Sequence, residues 1–321
     1  MADGGGTVSG LEQSLADYLQ LRRSLGHQLD DAGRLLPRFV AFLDDRGLST
    51  VTVAAAVEWS AMPAMSATAT DPRSTVGPRR MTAVRGFARY LAGVDPATEI
   101  PPLGLLPLQA RWRGPFVFSA ADIDLILNRV GGFTPALRAA TYVTLIGLLA
   151  ATGLRIGEAI KLDRADIDWT AGVLLIRESK FGKSRLVPVT DTTLQALADY
   201  ARLRGQLQRR VGQPSFFTSR TRHRLCYAAV SEAFRNVIDD SGIGADAPRR
   251  PRLHDLRHTF AVRTLLGWYR SGENVQAKVP ALSTYLGHRE PGSTYWYLSA
   301  VPELLACAAA RQESMLPAVT S

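Results

Sequence analysis

The chain has 321 residues, 46% of them hydrophobic, with 38 Lys and Arg against 29 Asp and Glu and a formal net charge of +9. This length and apolar content suit about two folded domains and argue against a disordered chain, and the positive balance favours nucleic acid as a partner. The two cysteines do not support a disulfide framework, residues 1–10 contain no apolar signal core, and no uncharged run reaches the roughly 18 residues of a membrane span, so we expect a soluble, cytoplasmic protein.

Apolar residues recur at helical spacing through residues 1–95 and predict a compact four-helix domain with a basic flank. The fourth helix carries arginines on the rest of its surface, which are candidate DNA contacts or only a solvated face: Arg79, Arg80 and Arg85. Prolines are frequent in residues 96–116, which predicts an extended linker.

Residues 117–321 predict a second domain, so the fold class is mainly α with a small antiparallel β-sheet, in two domains. Ser119 is expected to cap a helix, and Pro135 to occupy the first position of a long apolar helix that Gly153 ends. Two β-like runs, residues 173–177 and 185–189, indicate a hairpin. Asp191 is expected to cap the next helix, and the remainder reads as helical to about residue 311.

Three motifs in the second domain carry side chains suited to phosphodiester chemistry. They are Ala-Thr-Gly-Leu-Arg-Ile-Gly-Glu (151–158), His-Asp-Leu-Arg-His-Thr-Phe-Ala (254–261) and Leu-Gly-His (286–288), which is followed by Tyr297. The guanidiniums of Arg155 and Arg257 could fork onto the oxygens of one phosphate and offset the charge of a five-coordinate phosphorane. Tyrosine is a weak nucleophile at neutral pH and needs such cationic neighbours. Further candidate DNA contacts lie around the motifs: Arg220, Arg222, Arg249, Arg250 and Arg252.

A metal site is the main alternative interpretation of the histidines. His254 and His258 are four residues apart, so they share one helical face, as the two histidines of a zinc protease do. The residue after His254 is an aspartate and no third ligand motif follows, so we expect no metal and no cofactor. A two-metal nuclease would need a carboxylate cluster, and this alternative stays open because three acids lie between the first motif and the hairpin: Asp163, Asp166 and Asp168.

Residues from about 117 to 312 resemble the catalytic domain of the tyrosine recombinase, or phage integrase, family, and the three motifs occur in that family's order. The most similar members are integrases and transposases of mobile elements and, more distantly, Xer enzymes. The first part resembles the family's helical core-binding domain in size and helicity only.

The resemblance implies a role for each motif residue. Tyr297 attacks a DNA phosphate, with Tyr295 as the alternative nucleophile, and the hairpin residue Lys180 is the general acid, with Lys183 as its alternative. The remaining roles are phosphate binding by Arg155 and Arg257, support by His254, His258 and His288, and orientation of Arg155 by Glu158.

The resemblance further implies a 3′-phosphotyrosyl link to double-stranded DNA and four protomers in the exchange complex. We expect integration, excision or transposition of a mobile element. Xer-like dimer resolution, relaxation like that of a type IB topoisomerase and a non-catalytic DNA-binding role remain alternatives. The apolar tail, residues 302–310, could dock on a neighbouring protomer or on its own domain.

Overall fold

The computed structural model describes residues 10–63, 76–106, 114–177, 184–208, 214–288, 290 and 292–315. The chain divides into two compact units, Met1–Trp112 and Arg113–Ser321. Among the described helices, none combines the length and the apolar character that crossing a membrane requires.

The first unit is built from the four predicted helices: α1 (Gly10–Ser24), α2 (Asp30–Asp44), α3 (Val53–Ala61) and α4 (Val76–Leu91). Thr52 starts α3 by accepting a hydrogen bond from the Ala55 amide at 3.1 Å. The unit's core is aliphatic and aromatic, and its fully buried members include Leu36, Phe39 and Phe87.

Part of the predicted linker packs on the first unit. The Glu99 carboxylate accepts the Val53 amide at 2.6 Å, and Arg85 donates from Nε to the Pro101 carbonyl at 2.8 Å. Residues 107–113 of that linker lie outside the described residues. The first part of the proline-rich segment is therefore held against α3 and α4 by these hydrogen bonds.

The second unit is mainly helical. Its helices are α5 (Ala120–Gly131), α6 (Ala136–Thr152), α7 (Ile156–Lys161), α8 (Asp191–Leu207), α9 (Tyr227–Ser241), α10 (Leu253–Arg270), α11 (Val275–Leu286), α12 (Gly292–Ala300) and α13 (Pro302–Met315). Ser119 caps α5 by accepting from the Asp122 amide, as predicted, and Gly153 ends α6 in the left-handed conformation.

The small sheet is antiparallel, with order β1-β2-β3: β1 (Ile167–Asp168), β2 (Val173–Ile176) and β3 (Arg185–Pro188). Arg185 pairs with Ile176 at one end of the β2–β3 hairpin, and Pro188 pairs with Val173 at the other. This confirms the predicted hairpin, whereas β1 was not predicted. The hairpin tip, residues 178–183, lies outside the described residues and contains both candidate lysines, Lys180 and Lys183.

Three local predictions were wrong. Pro135 is the N-cap of α6 rather than its first helical residue, and Thr190, whose hydroxyl accepts from the Thr193 amide, caps α8 in place of Asp191. Residues 214–226 are not helical, because Phe216 and Phe217 lie in the core on an irregular segment in which the Ser215 and Phe216 carbonyls accept hydrogen bonds from Arg204.

The last helix packs on its own unit. Leu304 of α13 is fully buried in an apolar cluster that also contains Leu265 of α10 and Tyr297 of α12. In this structure the tail is therefore docked in cis through Leu304.

Candidate active site

The turn that follows α6 sets the position of Arg155. Gly153 has φ 62°, and a Cβ there would meet the Phe260 ring at 2.6 Å, so both the conformation and the space require glycine. Two residues later Arg155 begins α7, where Nη1 donates to Glu158 at 2.8 Å and Nη2 donates to the Gly287 carbonyl at 2.9 Å. Arg155 therefore joins the first motif to the third.

Glu158 is a buried carboxylate between two guanidiniums. It accepts from Arg155 and, through both oxygens, from Arg185 at 3.0 and 2.9 Å. Burial alone would raise its pKa, but the hydrogen bonds and charge of Arg185, followed by those of Arg155, outweigh burial and lower the pKa to about 2. Glu158 is therefore ionised at neutral pH and holds both cations in place.

Arg185 is a site residue that the sequence analysis missed. Its two Nη atoms donate to Glu158, and its Nε donates to the Tyr285 carbonyl at 2.9 Å. Arg185 therefore connects β3 to α7 and to the end of α11. A Cβ on Gly287 would meet the Arg185 guanidinium at 2.8 Å. The available signal was alternation: Val187 is buried and Leu186 exposed, so Arg185 shares the inward face of β3.

Arg257 is buried at the centre of the three motifs, with 2% of its surface exposed. Nη1 donates to the Gly153 carbonyl at 2.8 Å, and Nη2 donates to the Leu286 carbonyl at 2.7 Å. Burial and the nearby charge of Arg155 lower its pKa to about 10, so it remains cationic at neutral pH. Arg155 and Arg257 thus contact the carbonyls of consecutive residues at the end of α11.

Tyr297 lies against the histidine motif. Its hydroxyl is 2.8 Å from Nδ1 of His258, and only 2% of the residue is exposed, whereas Tyr295 is 41% exposed. Burial raises the Tyr297 pKa to about 12, against the lowering effect of Arg257 and Arg155. Burial, then the charge of His254, lowers the His258 pKa to about 3, so its ring is neutral. Nδ1 can therefore accept the phenol proton.

Asp255 holds the start of α10 in place next to His258. It is fully buried, caps α10 by accepting from the Arg252 amide at 2.7 Å, and accepts two hydrogen bonds from Arg249 at 2.9 and 2.6 Å. Its carboxylate lies 4.0 Å from Nε2 of His258, which favours the tautomer with a proton on Nε2 and leaves Nδ1 as the acceptor.

The other two motif histidines lie nearby. The ring centroids of His254 and His258 are 4.7 Å apart, and Nδ1 of His288 is 2.7 Å from the hydroxyl of the buried Thr294. Burial of the imidazole rings, then the charge of Arg257, lowers the pKa of both His254 and His288 to about 4. This holds for His254 even though the residue as a whole is exposed. Both rings are neutral at neutral pH.

The structure thus gathers Arg155, Glu158, His254, Arg257, His258, His288 and Tyr297 in one region of the second unit. Lys180 lies outside the described residues. The three acids between the first motif and the hairpin make structural contacts. Asp163 pairs with Arg224, and Asp166 pairs with Arg177 and accepts a hydrogen bond from the Asp163 amide. Asp168 accepts hydrogen bonds from the amides of Thr170 and Ala171 in the following turn.

Most of the predicted DNA-contacting arginines have protein partners. Arg79 pairs with Asp31 and Arg250 with Asp239, while Arg80 and Arg85 donate to backbone carbonyls and Arg249 to Asp255. Arg220, Arg222 and Arg252 are exposed. Arg220 and Arg222 have no side-chain partner in the part of the chain that the structure describes.

Comparison with known proteins gives a consistent result. Residues 120–303 match the model of the phage integrase family. The chain is 39% identical to the integrase/recombinase y4rB of Sinorhizobium fredii over 95% of this chain and 98% of that protein. It is 30% identical to the tyrosine recombinase XerD of Mycobacterium leprae over 89% of this chain and 90% of that protein.

Among solved structures, the Tn1549 transposon integrase in complex with transposon right end DNA matches with a TM-score of 0.65 at 17% identity, covering 94% of this chain and 98% of that one. At this identity the likeness concerns the fold.

Proposed function

The chain belongs to the phage integrase family and is a tyrosine-type site-specific recombinase, and we propose that it breaks and rejoins double-stranded DNA with Tyr297 as the nucleophile. The observation that carries this assignment is the Tyr297 hydroxyl, 2.8 Å from a neutral imidazole and within the electrostatic influence of Arg257 and Arg155. The alternative, Tyr295, is 41% exposed, and the described residues place no such base beside it.

Arg155 and Arg257 would bind the scissile phosphate. Each guanidinium carries five N–H groups and uses two of them in the bonds described above, so donors remain for phosphate oxygens. Glu158 and Arg185 would fix the position of Arg155 without touching DNA. Charge developing on the phosphorane oxygens would be stabilised by cations already in place.

His258 would accept the phenol proton as Tyr297 attacks phosphorus. The arrangement has the form of an activated nucleophile: a hydroxyl, a neutral base within hydrogen-bond distance, and a carboxylate, Asp255, beyond the base. Because Tyr297 is 2% exposed, a DNA phosphate reaches its oxygen only after α12 or its neighbours move.

The bond changes follow from these roles. The Tyr297 oxygen bonds to phosphorus, the bond from phosphorus to the 5′-oxygen breaks, and Lys180 protonates the leaving oxygen. His254 and His288 would donate to the phosphate. The phosphotyrosyl link retains the energy of the diester, so a 5′-hydroxyl from another strand can reverse the step.

We assign the chain to a mobile element rather than to chromosome dimer resolution. It is more similar to y4rB, named an integrase/recombinase, than to XerD of M. leprae, at 39% against 30% identity. Exchange between two duplexes requires four cleaved strands, so the active complex would be a tetramer on DNA.

A suicide substrate tests the assignment. The full chain is incubated with nicked duplexes made from the DNA that flanks its coding region, and covalent adducts are resolved on a denaturing gel. We expect an adduct with a terminal site of the element and none with scrambled DNA. Adducts formed only with a chromosomal dimer-resolution site would support the Xer role, and prompt relaxation of any supercoiled plasmid would support a topoisomerase.

A further inference from the structure

A second cavity lies in the catalytic unit at the far end of the small sheet. It measures about 450 Å³ and is lined by α8, the irregular segment at Phe216, the β1–β2 turn and Arg164. Arg185 pairs with Ile176 at the end of the hairpin near the active site, whereas the turn that carries Trp169 precedes Val173 at the opposite end. The cavity is therefore separate from the DNA-cleaving residues. Its volume is in the range of small-molecule sites.

Arg204 supplies the unusual chemistry of this cavity. The residue is 3% exposed, and its Nη1 donates to the carbonyls of Ser215 at 2.8 Å and Phe216 at 2.5 Å. Its Nε and Nη2 are buried without a hydrogen-bond partner. These two nitrogens carry parallel N–H groups along one edge of the guanidinium, which is the edge that binds both oxygens of a carboxylate.

Within the described residues, Arg204 has no ion-pair partner. Burial lowers its pKa, Tyr200 acts in the opposite direction, and the nearby positive charge of Arg164 lowers the pKa again. None of the side chains lining the cavity is acidic, and Asp199, one turn away on α8, is paired with Arg202. A buried cation with two unsatisfied donors is costly unless an anion completes it.

The walls combine apolar residues with two further arginines, Arg164 and Arg202. Trp169, which is 42% exposed, faces Phe216 with ring centroids 6.4 Å apart, and Ala198 and Ala201 leave space along α8. We propose that this cavity binds a carboxylate on an aromatic or similarly apolar body, with the carboxylate on the Nε–Nη2 edge of Arg204 and the body beside Trp169. Because both donors are shielded from solvent, side chains that line the cavity must move to admit the ligand.

The two sources of such a carboxylate are a free small molecule and the carboxyl end of a peptide. The probes are 4-fluorobenzoate for the first and acetyl-glycyl-phenylalanine for the second, each compared with its neutral amide and with inorganic phosphate. Binding to the full-length chain is followed by ¹⁹F line broadening for the fluorinated acid and by thermal stabilisation for all probes. A ligand that binds only the folded chain raises Tm.

We expect saturable binding of at least one carboxylate, about tenfold or more weaker binding of its amide, and weaker binding of phosphate, which can engage the fork but has no apolar body to pack beside Trp169. Binding of the free acid alone identifies a small-molecule site, and binding of the peptide alone identifies a peptide site. Absence of saturable binding by both acids, or equal binding of acid and amide, would overturn the proposal.

Two variants locate the site. Arg204→Lys keeps the charge but loses the fork, and should weaken binding about tenfold. Ala198→Phe fills the cavity and leaves Arg204 in place, so it tests the site even where the arginine variant fails to fold. Arg270→Gln, which removes an exposed charge on α10, is the matched control and should bind normally. Undiminished binding by Ala198→Phe would place the ligand elsewhere and refute the assignment.

Discussion

Tyr297 and its neighbours show how individual side chains set the chemistry. Burial holds the phenol pKa near 12, while the neutral ring of His258 offers an acceptor for its proton. The fully buried Asp255 is held by Arg249 and cannot turn away from the histidine. If Tyr297 and His258 act as proposed, a phenol that is both shielded and already hydrogen-bonded to its base would stay unreactive until a phosphate arrives.

Replacing the tyrosines distinguishes the two candidates. Tyr297→Phe removes the hydroxyl and leaves the ring in its cluster, so the covalent adduct should disappear while DNA binding is retained. Tyr295→Phe is the matched control and should retain adduct formation. An adduct that survives in Tyr297→Phe and is lost in Tyr295→Phe would reverse the assignment of the nucleophile.

His258→Asn tests the base. The asparagine oxygen can take the place of Nδ1 as an acceptor but cannot carry the proton away, so the single-turnover cleavage rate should fall about 10²-fold or more. His223→Asn, at an exposed position in the irregular segment, is the control. If the rate of His258→Asn matches wild type, His258 only positions the phenol.

The histidine pKa values also predict how stability depends on pH. His254, His258 and His288 are neutral in the folded state down to about pH 4, 3 and 4, whereas unfolded histidine takes up a proton near pH 6.5. Between these limits the unfolded state binds more protons, so the free energy of unfolding should decrease as pH falls below about 6.5.

Urea unfolding at pH 7 and pH 5 measures this loss of stability. His258→Asn should lose less stability between the two pH values than wild type, and His223→Asn should lose as much. Equal losses in wild type and His258→Asn would contradict the low pKa of His258.

At the scale of elements, the site depends on how helices end. Gly153 turns α6 into α7 and offers its carbonyl to Arg257, while α11 ends at Gly287, with φ 70°, so that the Leu286 and Gly287 carbonyls reach the two arginines. The β-hairpin contributes Arg185 to the same point. Three chain segments therefore meet through backbone carbonyls as well as side chains.

A glycine pair tests this dependence. Gly153→Ala forces a side chain into the left-handed region and against Phe260, so it should destabilise the fold by about 1–2 kcal/mol or more and reduce cleavage. Gly147→Ala, within α6 and with no atom within 4 Å of the added Cβ, should stabilise it by about 0.5–1 kcal/mol. Chemical denaturation measures both, and equal effects would contradict the argument.

The elements also show what a sequence can and cannot predict. Ser119, Gly153 and the hairpin were predictable because capping and alternation act over a few residues. Residues 214–226 were not, because their irregular path depends on the buried side chain of Arg204, which belongs to a different element, α8. Arg185 was missed for the same reason: its partners Glu158 and Tyr285 come from other segments.

At the scale of the whole molecule, the 38 Lys and Arg residues include side chains that are not free to contact DNA. Several arginines that sequence reasoning assigned to DNA are engaged with the protein instead, such as Arg79 with Asp31 and Arg249 with Asp255. Arg220 and Arg222 are exposed and have no described partner. Phosphate contacts should therefore depend on a minority of the arginines.

Salt dependence separates the two groups. Arg220→Gln should weaken DNA binding and reduce the slope of log affinity against log salt by about one, as expected for the loss of one phosphate contact. Arg79→Gln should change the slope less, because that guanidinium is neutralised by Asp31. Fluorescence anisotropy at several salt concentrations measures both slopes, and a larger effect of Arg79→Gln would contradict this ranking.

The carbonyls of Leu286 and Gly287 have a thermodynamic consequence for catalysis. Holding an arginine side chain still costs about 2 kcal/mol of rotamer entropy. Because these two carbonyls already immobilise Arg257 and Arg155 in the DNA-free protein, that cost is met during folding and not at each encounter with a phosphate. In the proposed mechanism, the affinity gained from DNA contacts would then be available to move α12 and expose Tyr297 to the phosphate.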